Sequence, residues 1–237
     1  MALPTMDLPT FELVLPSTKK KIKYRPFLVK EEKILLLALE SKDEKNIRDA
    51  VIQLLRACIS SKIKIENLST FDLEYIFLNI RAVSVGEIVE MKITCSDDNE
   101  TEVPYNLNLQ EIKVHFPKGH SSKIMLTDNT GVIMKYPSFN RFVESNFTEK
   151  EVNQQNVLDI IAESIDQIFQ GDEVFDQSTT SSKEFLQFVE SLTNEQLTKI
   201  QEFFETAPRL EHSFKIKNPK TGVESEYTIS GLNNFFG

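Results

Sequence analysis

The stretch from Ser69 to Leu109 constrains the fold more than any other part of the chain. Phe71, Leu73, Tyr75, Ile76, Leu78, Ile80 and Ala82 recur at helical spacing and cover most of the circumference. The pattern predicts a helix over 70–83 packed on two sides, with Ser69 or Thr70 as its cap and Asp72 in its first turn. Gly86 releases the chain, and the period changes from 3.6 to 2. Ile88, Glu90, Lys92 and Thr94 then alternate with Val89, Met91, Ile93 and Cys95, and the polar run Ser96–Glu100 leads into a return strand over 102–107. A nearly all-apolar helix feeding straight into a hairpin requires an α+β fold in which that helix is central.

The flanking segments extend the pattern. Phe11, Leu13 and Leu15 alternate, Pro16–Lys20 turns, and Ile22 and Tyr24 resume, which predicts an N-terminal β-hairpin. A helix follows over 29–40, with Ile34, Leu35, Leu37 and Ala38 too apolar for one narrow stripe. A second helix over 43–60 has Asp43 as N-cap and Ile47, Val51, Leu54, Leu55 and Cys58 on one face, so Cys58 reads as a core thiol. Further strands are expected at Ile112–Phe116 and around Ile124–Tyr136, with a turn at Asp128–Gly131. Beyond Pro137 the expectation is helical: a short helix over 139–147, a long one over 152–169 carrying Val157, Ile160, Ile161, Ile165 and Ile168, an exposed loop over 170–180, and two helices over 183–191 and 194–206. A C-terminal hairpin over 212–229 ends in Gly231–Phe236, read as one helical turn docked by its aromatics. The sequence therefore divides into an N-terminal hairpin and helical bundle (1–86), a central antiparallel β region (87–137), and an acidic second helical group with a C-terminal β-hairpin (138–237). Helix, hairpin and apolar anchor recur in the same order over 70–112 and 194–232, a faint internal echo.

Charge is unevenly spread. Ser17–Lys30 carries Lys19, Lys20, Lys21, Lys23, Arg25 and Lys30 with no acid, whereas Glu144–Glu205 carries fourteen acids against three lysines. Such polarity steers association between unlike faces, and solvated faces are the plainer alternative. A net charge of −9 argues against nucleic acid as a partner. No apolar run reaches the roughly 20 residues needed to span a bilayer. The N-terminal segment has no basic region leading into an apolar one, so no secretory signal is expected. Two cysteines, Cys58 and Cys95, fit a reducing compartment such as a cytosol, where the sequons at Asn99 and Asn146 have no role.

Chemistry-bearing constellations are sparse. The central hairpin has the shape of a zinc-ribbon half with Cys95 at a ligand position. Its knuckle, though, reads Cys95-Ser96-Asp97-Asp98, and with His115, His120 and His212 it matches no four-ligand spacing. Asp97, Asp98 and Glu100 lack the rhythm of a calcium loop. No nucleophile elbow or phosphate-binding glycine loop occurs, and His115 and His120 form at most a proton-transfer pair, more plainly two solvated loop residues. Neither catalysis nor a cofactor is expected. Association remains, and the chain carries 17 Phe. An aromatic core accounts for most of them; Phe175, Phe235 and Phe236, with Leu232 and the basic turn Lys19, Lys20 and Lys21, are the candidate partner contacts.

Three phrases carry a family resemblance: Leu8–Ser17 followed by Ile22–Lys33; Phe71–Thr94, with Arg81-Ala82-Val83-Ser84-Val85-Gly86-Glu87; and Ile216–Phe236. In these the chain resembles the T4-type myovirus baseplate hub family. The resemblance implies a contractile-tail protein, without enzymatic activity or cofactor, that either builds the central hub or catalyses its assembly. Its partners would be other hub proteins or the tape-measure protein, and its location the host cytoplasm during assembly and the virion baseplate if retained. It supplies no site residues.

Overall fold

A computed structural model describes residues 7–137, 139, 143 and 154–235. Among these are six helices and eleven strands in small antiparallel sheets, an α+β fold with an N-terminal hairpin and C-terminal strands.

The N-terminal hairpin pairs β1 (Phe11–Val14) with β2 (Lys21–Tyr24). Leu13, Leu15, Ile22 and Tyr24 lie on its buried face. Its tip closes by Leu15 N–H to Lys20 O and Lys19 N–H to Leu15 O, both 2.9 Å, and places Lys19 in the left-handed region at φ 58°. Arg25 and Glu31 form a two-pronged ion pair at 2.7 and 2.9 Å, and Glu31 also accepts from Leu28 N–H at 2.7 Å. One carboxylate thus ties the hairpin exit to the start of α1 (Val29–Ser41). Helix α2 (Glu44–Cys58) is capped by Asp43, which accepts from Asn46 N–H at 2.8 Å, and buries Ile47, Val51, Leu54, Leu55 and Cys58 as its periodicity requires.

Helix α3 (Thr70–Val85) is central, burying Phe71, Leu73, Ile76, Phe77, Leu78 and Ile80 around its circumference. Its end is at Gly86, in the left-handed region at φ 128°. Neither expected cap acts through its side chain. Ser69 stands at the N-cap position but its hydroxyl is buried without a partner, and the Thr70 hydroxyl donates to Pro137 O at 3.1 Å.

Strands β3 (Ile88–Thr94) and β4 (Glu102–Asn108) form the central hairpin, and a 3-10 turn, Leu109–Glu111, leads to β5 (Lys113–His115). From here the chain makes an excursion. It builds β6 (Lys123–Met125), β7 (Thr130–Met134), α4 (Gln154–Ser164), β8 (Ile165–Gln170), β9 (Glu173–Asp176), α5 (Ser182–Glu190) and α6 (Asn194–Glu205). It then returns as β10 (Arg209–Lys217), which pairs with β5 on one side and with β11 (Glu224–Ser230) on the other. A closing 3-10 turn spans Leu232–Phe235.

Two expectations are overturned here. The helix expected over 152–169 stops at Ser164, and Ile165 and Ile168 instead sit in β8 between β7 and β9. The loop expected over 170–180 contains β9, joined to β8 by a tight turn with Gly171 at φ 60°. The order β6-β7-β8-β9 therefore joins strands from both sides of the expected boundary at 137. The helix expected over 139–147 lies outside the described residues except for Phe139 and Val143, which are helical and buried.

The hydrophobic cores follow this topology and not the three-part division of the sequence. One core takes Leu13 through Ile112 together with Phe139, Val143, Leu210, Leu232 and Phe235. The second, containing Leu126, Val132, Met134, Ile161, Ile165, Ile168, Phe185, Val189, Ile200 and Phe203, belongs to the excursion. Phe71 links them, meeting Phe116 at 5.9 Å and Tyr136 at 4.9 Å edge to face, between ring centroids.

Candidate interaction surfaces

The two segments that echo one another in sequence face one another in space. Hairpins β3–β4 and β10–β11 enclose a small cluster of Cys95, Phe214 and Ile216, with Tyr105 stacked on Phe214 at 4.0 Å. The Tyr105 hydroxyl lies 3.0 Å from His212 Nε2, and the Tyr227 hydroxyl accepts from Ser96 N–H at 2.8 Å. At the tips, Asp97 accepts from Asn218 Nδ2 at 3.0 and 3.1 Å and from the Thr221 hydroxyl. Asp98 folds its own turn, accepting from Thr101 N–H at 3.0 Å and Thr101 Oγ1 at 2.5 Å. These hydrogen bonds to the charged form hold both carboxyls below the usual carboxylate range. The ribbon-like knuckles are thus joined by a carboxylate, an amide and a hydroxyl, a donor set unsuited to structural zinc. Among the described residues no three His, Cys, Asp or Glu side chains converge as metal ligands would.

Other polar groups of the interior are engaged in the same way. Asp72, fully buried, accepts from Ser17 N–H at 3.0 Å and from the Ser17 hydroxyl, so the basic turn of the first hairpin is anchored on α3. His120 is not the solvated loop residue expected. Its ring nitrogens lie 3.0 Å from Thr206 Oγ1 and 2.9 Å from the Tyr136 hydroxyl, its ring packs on Tyr136 and Phe203, and burial lowers its pKa. His115 is exposed on β5. Cys58 is buried, and desolvation pushes its thiol up to about 12.

The expected contact residues separate into three groups. Leu232 and Phe235 are corrected: both are buried in the chain's first core, because Gly231 turns the chain after β11 and folds the 3-10 turn back onto it. They are internal anchors and not surface ones. Phe236 lies outside the described residues. Lys19, Lys20 and Lys21 are exposed at the hairpin tip, with the Lys19 ammonium 5.2 Å from the Phe116 ring centroid. Phe175 is exposed on β9, which is an edge strand, beside exposed Val174.

Two surfaces were not singled out from sequence. One is an open cleft of about 910 Å³ lined by Lys135, Asp159, Glu163, Gln177, Thr180 and Lys183, among others, formed where α4 meets the loop before α5. No local pattern could announce it, since its walls are distant in sequence. The other is the outer side of α1, where Val29, Ile34, Leu36 and Leu37 face solvent; the unusual breadth of its apolar pattern was the signal.

No helix among the described residues is long and apolar enough to cross a membrane. No curated protein and no solved structure gave a significant match to the chain. A family model does match, over residues 8–237, so the chain belongs to the T4 bacteriophage base plate protein family.

Proposed function

We propose that this baseplate protein is a non-enzymatic subunit of the hub of a contractile phage tail, joining neighbouring hub proteins through apolar side chains left exposed on its surface. The family match over nearly the whole chain carries this reading. It is supported by where the polar chemistry sits: His120, His212, Asp72 and Asp97 are engaged in holding the fold together, while Val174 and Phe175 face outward on an edge strand. The basic hairpin tip at Lys19, Lys20 and Lys21 is the second contact, suited to an acidic neighbour. The role needs no cofactor, nucleic acid or membrane. The protein acts in the host cytoplasm during assembly and stays in the virion baseplate.

A second reading is a transient assembly factor for hub or tape-measure proteins. It is favoured by the exposed acids of the excursion, Glu173, Glu190, Glu195, Glu202 and Glu205 among them, which suit a basic or amphipathic partner helix. Quantitative mass spectrometry of purified virions separates the two. Presence in fixed proportion to known baseplate proteins supports the subunit; absence, with hub precursors accumulating when the gene is deleted, supports the assembly factor.

A further inference from the structure

Among the described residues, nothing lies upon the apolar face of helix α1. Val29 is 81% exposed, Leu36 53%, Leu37 55% and Ile34 37%, along a single helix whose opposite side packs on α2. Contiguous exposed apolar surface of this kind marks a site of association. The charges on the same face say what covers it. Lys30 and Lys33 lie toward its N-terminal end and Glu40 toward its C-terminal end, all exposed. Among the described residues the side chains of Lys33 and Glu40 have no partner within the chain. Lys33 precedes the Leu36–Leu37 pair by the same number of residues as Glu40 follows it.

We propose that α1 is a homodimer interface, pairing antiparallel with α1 of a second copy about a two-fold axis at Leu36–Leu37. A two-fold contact requires a surface complementary to itself, and this face meets the requirement. In the antiparallel register Lys33 meets the partner's Glu40, and each leucine pair meets the other. Parallel packing would instead set like charges side by side. Antiparallel packing also opposes the two helix dipoles favourably. The inference does not depend on the hub assignment.

The test is sedimentation equilibrium of the full chain from about 1 to about 200 µM, the range in which an interface at the small end of stable contacts dissociates. The wild type is expected to pass from monomer to dimer across it. Leu37→Lys should stay monomeric. Lys33→Glu and Glu40→Lys should each weaken the dimer by about tenfold or more, since every substitution acts twice in a symmetric contact. The double variant Lys33→Glu/Glu40→Lys should recover most of the loss, and it does so only if the two charges face one another across the dimer. Circular dichroism checks that each variant is folded, and the charge exchange decides the matter even if Leu37→Lys is not. A chain that stays monomeric throughout overturns the proposal. So does a double variant no stronger than the single ones, or a monomeric chain whose assembly into tails is nonetheless lost in Leu37→Lys, which would assign the face to a different protein.

Discussion

Truncating the C-terminal anchor tests whether its apolar side chains belong to this chain's core or to a partner. Phe235 is completely buried and Leu232 is 1% exposed. Replacing a buried Phe by Ala costs about 3–5 kcal/mol, and a buried Leu about 2–5, because the transfer free energy is lost and the cavity collapses only in part. In a chain of 237 residues, each kcal/mol corresponds to about 2–4 °C in Tm. Phe235→Ala should therefore lower the transition by about 6–20 °C, and Leu232→Ala by a comparable amount. The two effects should be less than additive, since both side chains belong to one core. Differential scanning calorimetry measures the shift, and urea unfolding followed by circular dichroism gives the free energy independently. A Phe235→Ala protein melting within about 1 °C of wild type while failing to co-purify with baseplate proteins would refute the packing argument and return Phe235 to the surface.

The other expectations concern the second core, the first hairpin and the thiols. At Gly131 a Cβ would stand 2.5 Å from both the Ile124 carbonyl oxygen and Phe169 Cζ. Gly131→Ala should cost about 1–3 kcal/mol in urea unfolding, and adding Phe169→Leu should restore only part of it because the backbone oxygen cannot yield. Glu31 is held below its ordinary carboxyl value of 4.5, chiefly by its hydrogen bond to Arg25. Its contribution is therefore present above pH 4.5 and lost as the pH falls through the lowered value in the folded protein. Glu31→Gln should cost about 1–3 kcal/mol at pH 7 and flatten the acid limb of a Tm-against-pH curve. Burial likewise lowers His120 below 6.5, so acidification should favour the unfolded state, and NMR titration should find His120 protonating at lower pH than a solvent-exposed histidine. Cys58, with its thiol raised to about 12, should react with a thiol reagent only after unfolding, at a rate following denaturant concentration.

Which of these features the sequence could reveal depends on the range of the interaction behind each. Helix α2 was legible because Ile47, Val51, Leu54, Leu55 and Cys58 repeat at a period only a helix satisfies, and Asp43 caps it through a contact three residues away. Helix α3 was legible as central because both of its sides are apolar. Strand β8 was not. Ile161, Ile165 and Ile168 are spaced like one helical face, and a register shift between Ile133 and Met134 disrupts the clean alternation that would have marked a strand. What decides the conformation there is pairing with β7 and β9, a tertiary term that outweighs local propensity. The Gly171 turn was the one local sign that a second hairpin followed.

The contact surfaces show the same division more sharply. Leu232 and Phe235 follow a strand and a glycine, and that pattern suits an anchor turned inward as well as one turned outward. Direction is fixed only by the pairing of β10 with both β5 and β11, which returns the chain to the first core across some ninety residues, Arg209 opposite His115. The Asp97–Asn218–Thr221 clasp has a sequence separation above one hundred residues, so its members look like ordinary turn residues until the hairpins are brought face to face. Helix α1 is the exception. Its excess of leucine is visible in one dimension, and a helix too apolar for the side it buries must either bring another element of its own chain over the remainder or leave it for a second molecule. Among the described residues that face is left open, with Lys33 and Glu40 at matched distances on either side of its leucine pair. Local sequence thus specifies association best where an apolar excess and a charge order coincide on one element, and least where the contact is assembled from strands that meet only after folding.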